Sequence, residues 1–371
     1  MENTQKYAPG EHPDLKPPIG QTGILLWLRK NLFSSTFNIV LTLLTVYFLY
    51  LVLPPLVKWL FVDSIFLAGS RDECRELGKG ACWGFISKRL GQFTYGFYPL
   101  EERWRVNLTF VLFIVALFPV LWDKMPKRRI FMWFSLLFPF LAMWLLLGGF
   151  GLTPVETDQF GGFMLTMVIG VTGIVFSLPL GILLALGRQS NLHFIRWLCT
   201  GFIEFIRGVP LITLLFVAST MLNYFLPPGT TFDLLLRVLI MVTLFSAAYI
   251  AEVVRGGLQA IPKGQHEAAD AMGLKYWSSM RLIVLPQALK ISIPGIVNTF
   301  IGLFKDTTLV VIIGLLDPLG IGRASLSDTK WQGLSTEVYV FIALFFFVCC
   351  FSMSRYSLYL EDKLHTGHKN D

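Results

Sequence analysis

Charge is scarce in this chain. Asp, Glu, Lys and Arg make up 15% of its 371 residues while 54% are hydrophobic, against roughly 25% charged in soluble domains. An ordinary water-soluble fold is excluded. Cysteine is also sparse, and of the five, Cys199, Cys349 and Cys350 lie in apolar runs and read as small packing residues. Cys74 and Cys82 share a polar loop and can pair if that loop faces an oxidising compartment. Nothing in the chain reads G-x-x-x-x-G-K-[ST], so the phosphate loop of an ATPase is missing. His12, His193, His266, His365 and His368 stand in tails or loops without paired ligand spacing, which gives no metal site. No Ser, Cys and His set forms a nucleophile, so the chain is not read as an enzyme. Its net charge of +7 comes from basic residues in short loops, not from a stripe interleaved with aromatics, and nucleic acid is excluded as a partner.

What the chain has instead is long apolar runs, several exceeding the roughly 20 residues that span a hydrocarbon core. The expectation is an all-α polytopic membrane protein of about eight transmembrane helices. Residues 1–23 form a polar tail without a signal-peptide pattern, and the spans fall at 24–53, 106–122, 130–147, 163–187, 197–225, 234–254, 287–316 and 338–359. A mixed loop at 54–105 separates the first two spans. A Gly-rich link at 148–162, without Lys or Arg, marks a boundary near residue 160. That divides the membrane part into a three-span block at 24–160 and a five-span block at 161–360, followed by a tail at 361–371. The basic turns at 124–129 and 188–196 and the stretch 255–290 fall on one side. The positive-inside rule makes that side cytoplasmic, together with both termini. The 54–105 loop then lies outside despite eight basic residues, which six acidic ones partly offset.

The polar interruption at 255–286 is the most informative stretch. Pro262 suits a first helical turn, Glu267 to Met272 favour helix, and Gly273 suits a left-handed cap. A second helical stretch at 275–285 is expected to stop at Pro286, which can in turn start the next membrane helix. Its anchors read E-A-A-x3-G-x9-I-x-L-P from Glu267 to Pro286, and they closely resemble the cytoplasmic coupling loop of ABC-importer permeases. The likeness covers about 162–359. Gly162 to Arg188 resembles the first core helix of the polar amino acid uptake permeases. Glu204, Arg207, Gly208, Pro210 and Leu211 match their E-x-x-R-G-x-P-L segment, and Lys305-Asp306-Thr307 completes it. Val209 stands where Thr is common and Thr308 where Ser is common. With three extra amino-terminal spans, the chain most resembles the M-type subunit of the general L-amino acid importers.

The resemblance implies a type I ABC-importer transmembrane domain in a bacterial inner membrane. It implies four partners: a cytosolic ABC ATPase dimer that binds the ATP, a second related permease subunit, a periplasmic amino acid-binding protein and membrane lipid. No cofactor belongs to the chain itself. Gln265, Glu267, Ala268, Ala269 and Gly273 would meet the ATPase, Glu267 on a basic residue and the small residues permitting close approach. Charges within spans are costly and belong on a cavity or paired, which marks Arg207, Tyr249, Glu252, Lys305 and Asp306 as pathway candidates. Two readings of the charges stand. Glu204 with Arg207 and Glu252 with Arg255 are i,i+3 and can be local ion pairs, with Arg255 snorkelling. Alternatively Glu252, beside Tyr249, receives a substrate ammonium and Arg207 a carboxylate. Lys305 and Asp306 read as a helix break near the pathway. The rival function is a stand-alone secondary carrier in which Glu252 or Asp306 binds a coupling ion.

Overall fold

The span expected at 24–53 is two helices, α1 (Gly23–Asn31) and α2 (Thr36–Val57). Asn31 turns its amide onto the Trp27 carbonyl, and Ser35 accepts from the Asn38 amide at 3.2 Å. Such short polar side chains compete with the helix ladder. At the other end α2 runs through Pro54 and Pro55, where a stop was expected. The π turn Lys58–Val62 takes over there, and the Lys58 amide reaches both proline carbonyls. The computed structural model describes residues 23–122, 124–221, 224, 227 and 232–364. Most of the two expected tails and of the turn at 227–233 lies outside them, as do His12, His365 and His368.

The 54–105 loop is largely helical. α3 (Arg71–Leu77) and α4 (Trp83–Tyr95) form a small cap, stapled by a Cys74–Cys82 disulfide whose Cα atoms are 5.9 Å apart. Phe85 and Phe93 bury against Ile321, Trp331 and Val338 from the far end of the chain. Arg89 meets Asp328 at 2.5 Å, and the Cys82 amide donates to the buried Glu337 carboxylate at 3.3 Å.

α5 (Arg103–Leu121) and α6 (Arg128–Leu147) make an antiparallel pair. The fully buried Arg105 closes their cap-side end. Its guanidinium lies 2.9 Å from Glu102, donates to the Thr153 carbonyl at 3.0 Å and sits over the Tyr98 ring.

α7 (Gly162–Arg188) begins the second block, followed by α8 (His193–Gly208) and α9 (Leu211–Phe216). The expected span at 197–225 is therefore broken, and its two arms bend by 102°. Proline disfavours helical backbone in the residue before it, and Val209 is extended at φ −110°, ψ 132° ahead of Pro210. α10 (Leu234–Gln259) is capped by Asp233, which accepts from the Leu236 amide at 2.8 Å. Its buried Arg237 donates to the Ser219 carbonyl at 2.7 Å and holds the end of the broken span.

α11 (Lys263–Ala271) and α12 (Tyr276–Ser279) form the hairpin, and α13 (Leu285–Asp306) follows. Pro286 does not stop the helix. A π turn at Met280–Val284 carries α12 into α13 and leaves Pro286 in a first turn, where its missing N–H costs nothing. The continuous span is Tyr276–Ile313. The link expected at 317–337 contains α14 (Pro318–Leu326), and α15 (Ser335–Leu364) ends the described chain.

Seven helices among the described residues are long and apolar enough to cross a membrane, and the bent pair makes eight. α7, α10 and α13 form the centre. A Cβ at Gly257 would collide with the Ser292 hydroxyl and the Ala288 carbonyl, so glycine sets the α10–α13 approach. The blocks expected to meet near residue 160 share one core, in which Val106 and Leu146 join Leu165, Leu215 and Val238.

Asp317 caps α14 from a fully buried position, one oxygen accepting from the Gly320 amide at 2.8 Å. Burial pushes its carboxyl from 3.8 up to about 6. The folded state therefore holds this proton more tightly than the unfolded chain. The associated stability is fully present below pH 3.8 and is lost as pH rises through about 6. The loss amounts to about 3 kcal/mol. Asp317→Asn keeps an acceptor for Gly320 and removes the charge. The variant is expected to melt with the parent near pH 4 and above it at pH 7.5, read by thermal unfolding in detergent. A difference that does not change with pH would refute the titration.

Candidate functional site

At the end of α10 nearest the hairpin, three helices bring five charged side chains together. Glu252, with a side chain 15% exposed, is the hub. Its Oε1 accepts from Arg188 Nη1 at 2.5 Å, its Oε2 from Arg255 Nη2 at 2.8 Å, and Arg207 Nη1 stands 3.5 Å away. Arg188 also holds Glu204 at 2.8 Å. Arg207 lies over the Tyr249 ring, 5.6 Å from its centroid. Three guanidinium groups against two carboxylates leave one positive charge.

The Glu252–Arg255 pair forms as expected from its spacing. The Glu204–Arg207 pair does not: Glu204 turns to Arg188 on α7, and Arg207 turns to Glu252. With both Glu252 oxygens already facing guanidinium groups, an ammonium has no free carboxylate to meet there. Lys305 and Asp306 are not brought to this cluster. They end α13 about 30 Å along its axis from Leu285, where the helix tightens into the 3-10 turn Thr307–Ile313. The helix changes pitch there but does not break, since Tyr276–Ile313 is one continuous span.

The apolar floor of the cluster continues into the hairpin through Ile203, Val254, Leu258, Met280 and Val284. On α11, Gln265, Glu267 and Ala268 are exposed. Ala269 is fully buried in its own chain, so it seats α11 and offers no surface to a partner. Gln265 is tied to Gln287 on α13 at 3.1 Å. Gly273 ends the segment at φ +72°, a left-handed cap with open space around it.

Two features escape a reading of the sequence. Arg188 is the second arginine on Glu252, and its only signal is that it closes the long apolar run of α7. Met272, Tyr276 and Trp277 stand 77%, 55% and 68% exposed around α11, an apolar rim beside the polar helix. Among the described residues no group of three His, Cys, Asp or Glu could hold a metal ion.

Residues 177–366 match the family described as binding-protein-dependent transport system inner membrane component. The chain is 49% identical to the inner membrane amino-acid ABC transporter permease protein YhdY of Escherichia coli, over 96% of this chain and 97% of that one. It is 48% identical to the glutamate/glutamine/aspartate/asparagine transport system permease protein BztC of Rhodobacter capsulatus, over 95% and 96%. The probable glutamine ABC transporter permease protein GlnM of Bacillus subtilis is 34% identical over 56% of this chain and 93% of its own.

Proposed function

The chain belongs to the binding-protein-dependent transport system inner membrane components, the permeases of ATP-driven importers, and from that premise we propose that it passes L-amino acids across the membrane. A separate ATPase dimer grips α11, a binding protein delivers the cargo on the opposite face, and a related permease completes the pathway. Both termini lie on the ATPase side. The observation that carries the reading is the exposed Gln265, Glu267 and Ala268 on α11, framed by Met272, Tyr276 and Trp277 and seated through the buried Ala269. Such a surface, polar at its centre with aromatic anchors, suits a protein partner. α11 packs on the π turn Met280–Val284, whose Met280 and Val284 share an apolar cluster with Val254 and Leu258 of α10. Movement of α11 therefore reaches Glu252 and its arginines through packed side chains.

The excess positive charge supports Arg207 as the group that meets a carboxylate, which every L-amino acid carries. Relatives named for glutamate, glutamine, aspartate and asparagine support acidic and amide side chains as cargo. The carrier alternative loses its ground at Glu252, which arginines hold where a coupling cation would need it free. It loses it for the chain as a whole because the relative 49% identical over 96% of this chain is named as an ABC transporter permease.

Reconstitution of the importer in liposomes tests the docking role. Glu267→Ala removes a charged contact of hot-spot size, about 2 kcal/mol, or roughly thirtyfold in docking affinity. Substrate-stimulated ATP hydrolysis is expected to fall accordingly while the purified chain melts unchanged. Hydrolysis at the parent rate would end the assignment.

A further inference from the structure

A cavity of about 770 Å³ lies between the two blocks, walled by α5, α6, α7 and α10. It falls within the ~300–1,000 Å³ range of small-molecule sites. Its walls are apolar, with Phe113, Phe138, Met164, Val168 and Leu239 among them. Phe140, Met143 and Leu236 in its lining are each at least 43% exposed, on helices long and apolar enough to cross a membrane. Along α7 it extends from Met164 to Phe176, about 18 Å at the helical rise. One hydrocarbon leaflet is roughly 15 Å deep.

The mouth has a different chemistry. It lies at the start of α7 and α10, the end of the bundle remote from the hairpin, and carries Glu156, Asp158 and Asp233 with no Lys or Arg in the lining. Asp233 is engaged by the Leu236 amide and the Thr157 hydroxyl. Glu156 and Asp158 are exposed. Trp144 and the 98% exposed Phe150 flank this end, as aromatic residues do at the headgroup level.

We propose that this cavity is a lateral binding site for a glycerophospholipid with a primary-amine headgroup, drawn from the leaflet remote from the hairpin. The acyl chains fill the apolar slot between the blocks, and the ammonium faces Glu156 and Asp158. The lipid thereby becomes part of the seam between the amino-terminal block and the core. An anionic headgroup would meet two carboxylates and is disfavoured.

Native mass spectrometry of the purified full-length protein tests this, after equilibration in detergent with equal phosphatidylethanolamine and phosphatidylglycerol. One phosphatidylethanolamine is expected to remain bound in preference to phosphatidylglycerol by about fivefold or more, the preference shrinking as salt rises. Glu156→Gln with Asp158→Asn should abolish the preference, and these exposed positions leave the fold intact. Thr172→Trp, which fills the slot, should remove the bound lipid. Equal retention of the two lipids, a preference that survives the double variant, or a lipid that survives Thr172→Trp would each overturn the site. So would efficient crosslinking of a cysteine placed at Met143 to another subunit, because the slot would then hold protein.

Discussion

Arg105→Ala is expected to destabilise the protein by about 3–5 kcal/mol, the range for emptying a large, fully buried side chain and leaving a carbonyl without its donor. Arg105 is wholly inaccessible, and its removal takes the donor from the Thr153 carbonyl, whereas the Glu102 side chain keeps solvent and the Thr153 hydroxyl. The cavity left between α5, α6 and the 148–153 turn adds to the loss. The midpoint of unfolding in denaturant or heat, measured in detergent, reads the effect. Arg105→Met should recover part of it, because an apolar side chain of similar length refills the buried volume. If Arg105→Ala unfolds like the parent, the buried guanidinium contributes nothing to holding the first block together.

The second large effect belongs to Glu252→Gln. Three guanidinium groups converge on this carboxylate from α7, α8 and α10, and without it they repel one another across the bundle. Arg207 and Arg255 keep 34% and 30% of their side-chain surface in solvent, so the cost is about 2 kcal/mol, below that of a dry pair. Uptake in liposomes should fall at least tenfold, about 1.4 kcal/mol of lost function, since Arg207 loses the partner that aims it. Combining Arg188→Gln with Glu252→Gln should cost less than the two single changes added together, a coupling of about 1–3 kcal/mol for neighbours in one network. Strict additivity would show that the cluster does not act as a unit.

The fold was legible where local chemistry decides it. Apolar run length located spans such as 130–147 and 163–187 to within a few residues, though the first runs Thr36–Val62 and the seventh starts at Tyr276. The Gly273 cap and the E-A-A spacing placed the hairpin. Proline was read less well because its effect depends on neighbours. Pro210 breaks its span since Val209 goes extended, whereas Pro286 is absorbed because a π turn precedes it. α14 was missed for a similar reason: its Gly and Ser residues read as a link, and only the Asp317 cap and a buried setting make it helical.

The candidate site was legible as a list of residues but not as a network. Glu204 and Arg207 stand at ion-pairing distance along one helix, yet each finds its partner on another helix. Arg188 decides that outcome, and its role follows from how α7 crosses α8 and α10. Ala269 looked like a docking residue by motif position, but its face of α11 belongs to its own chain.

The cap carries a further consequence, for the order in which the protein is made. Its disulfide closes over a separation of only 8 residues and can form soon after α4 emerges. Its seat comes from the other end of the chain, with Arg89 and Asp328 separated by 239 positions and Cys82 and Glu337 by 255. Contacts that distant in sequence close last. Phe93 is met by Phe163 as soon as α7 is made, but the Phe85 face that packs on Trp331 stays open while the later helices are synthesised and inserted. Docking of the cap onto α14 and α15 has to wait for the last helix, and a chain truncated before Ser335 is expected to leave that surface to chaperones or proteases.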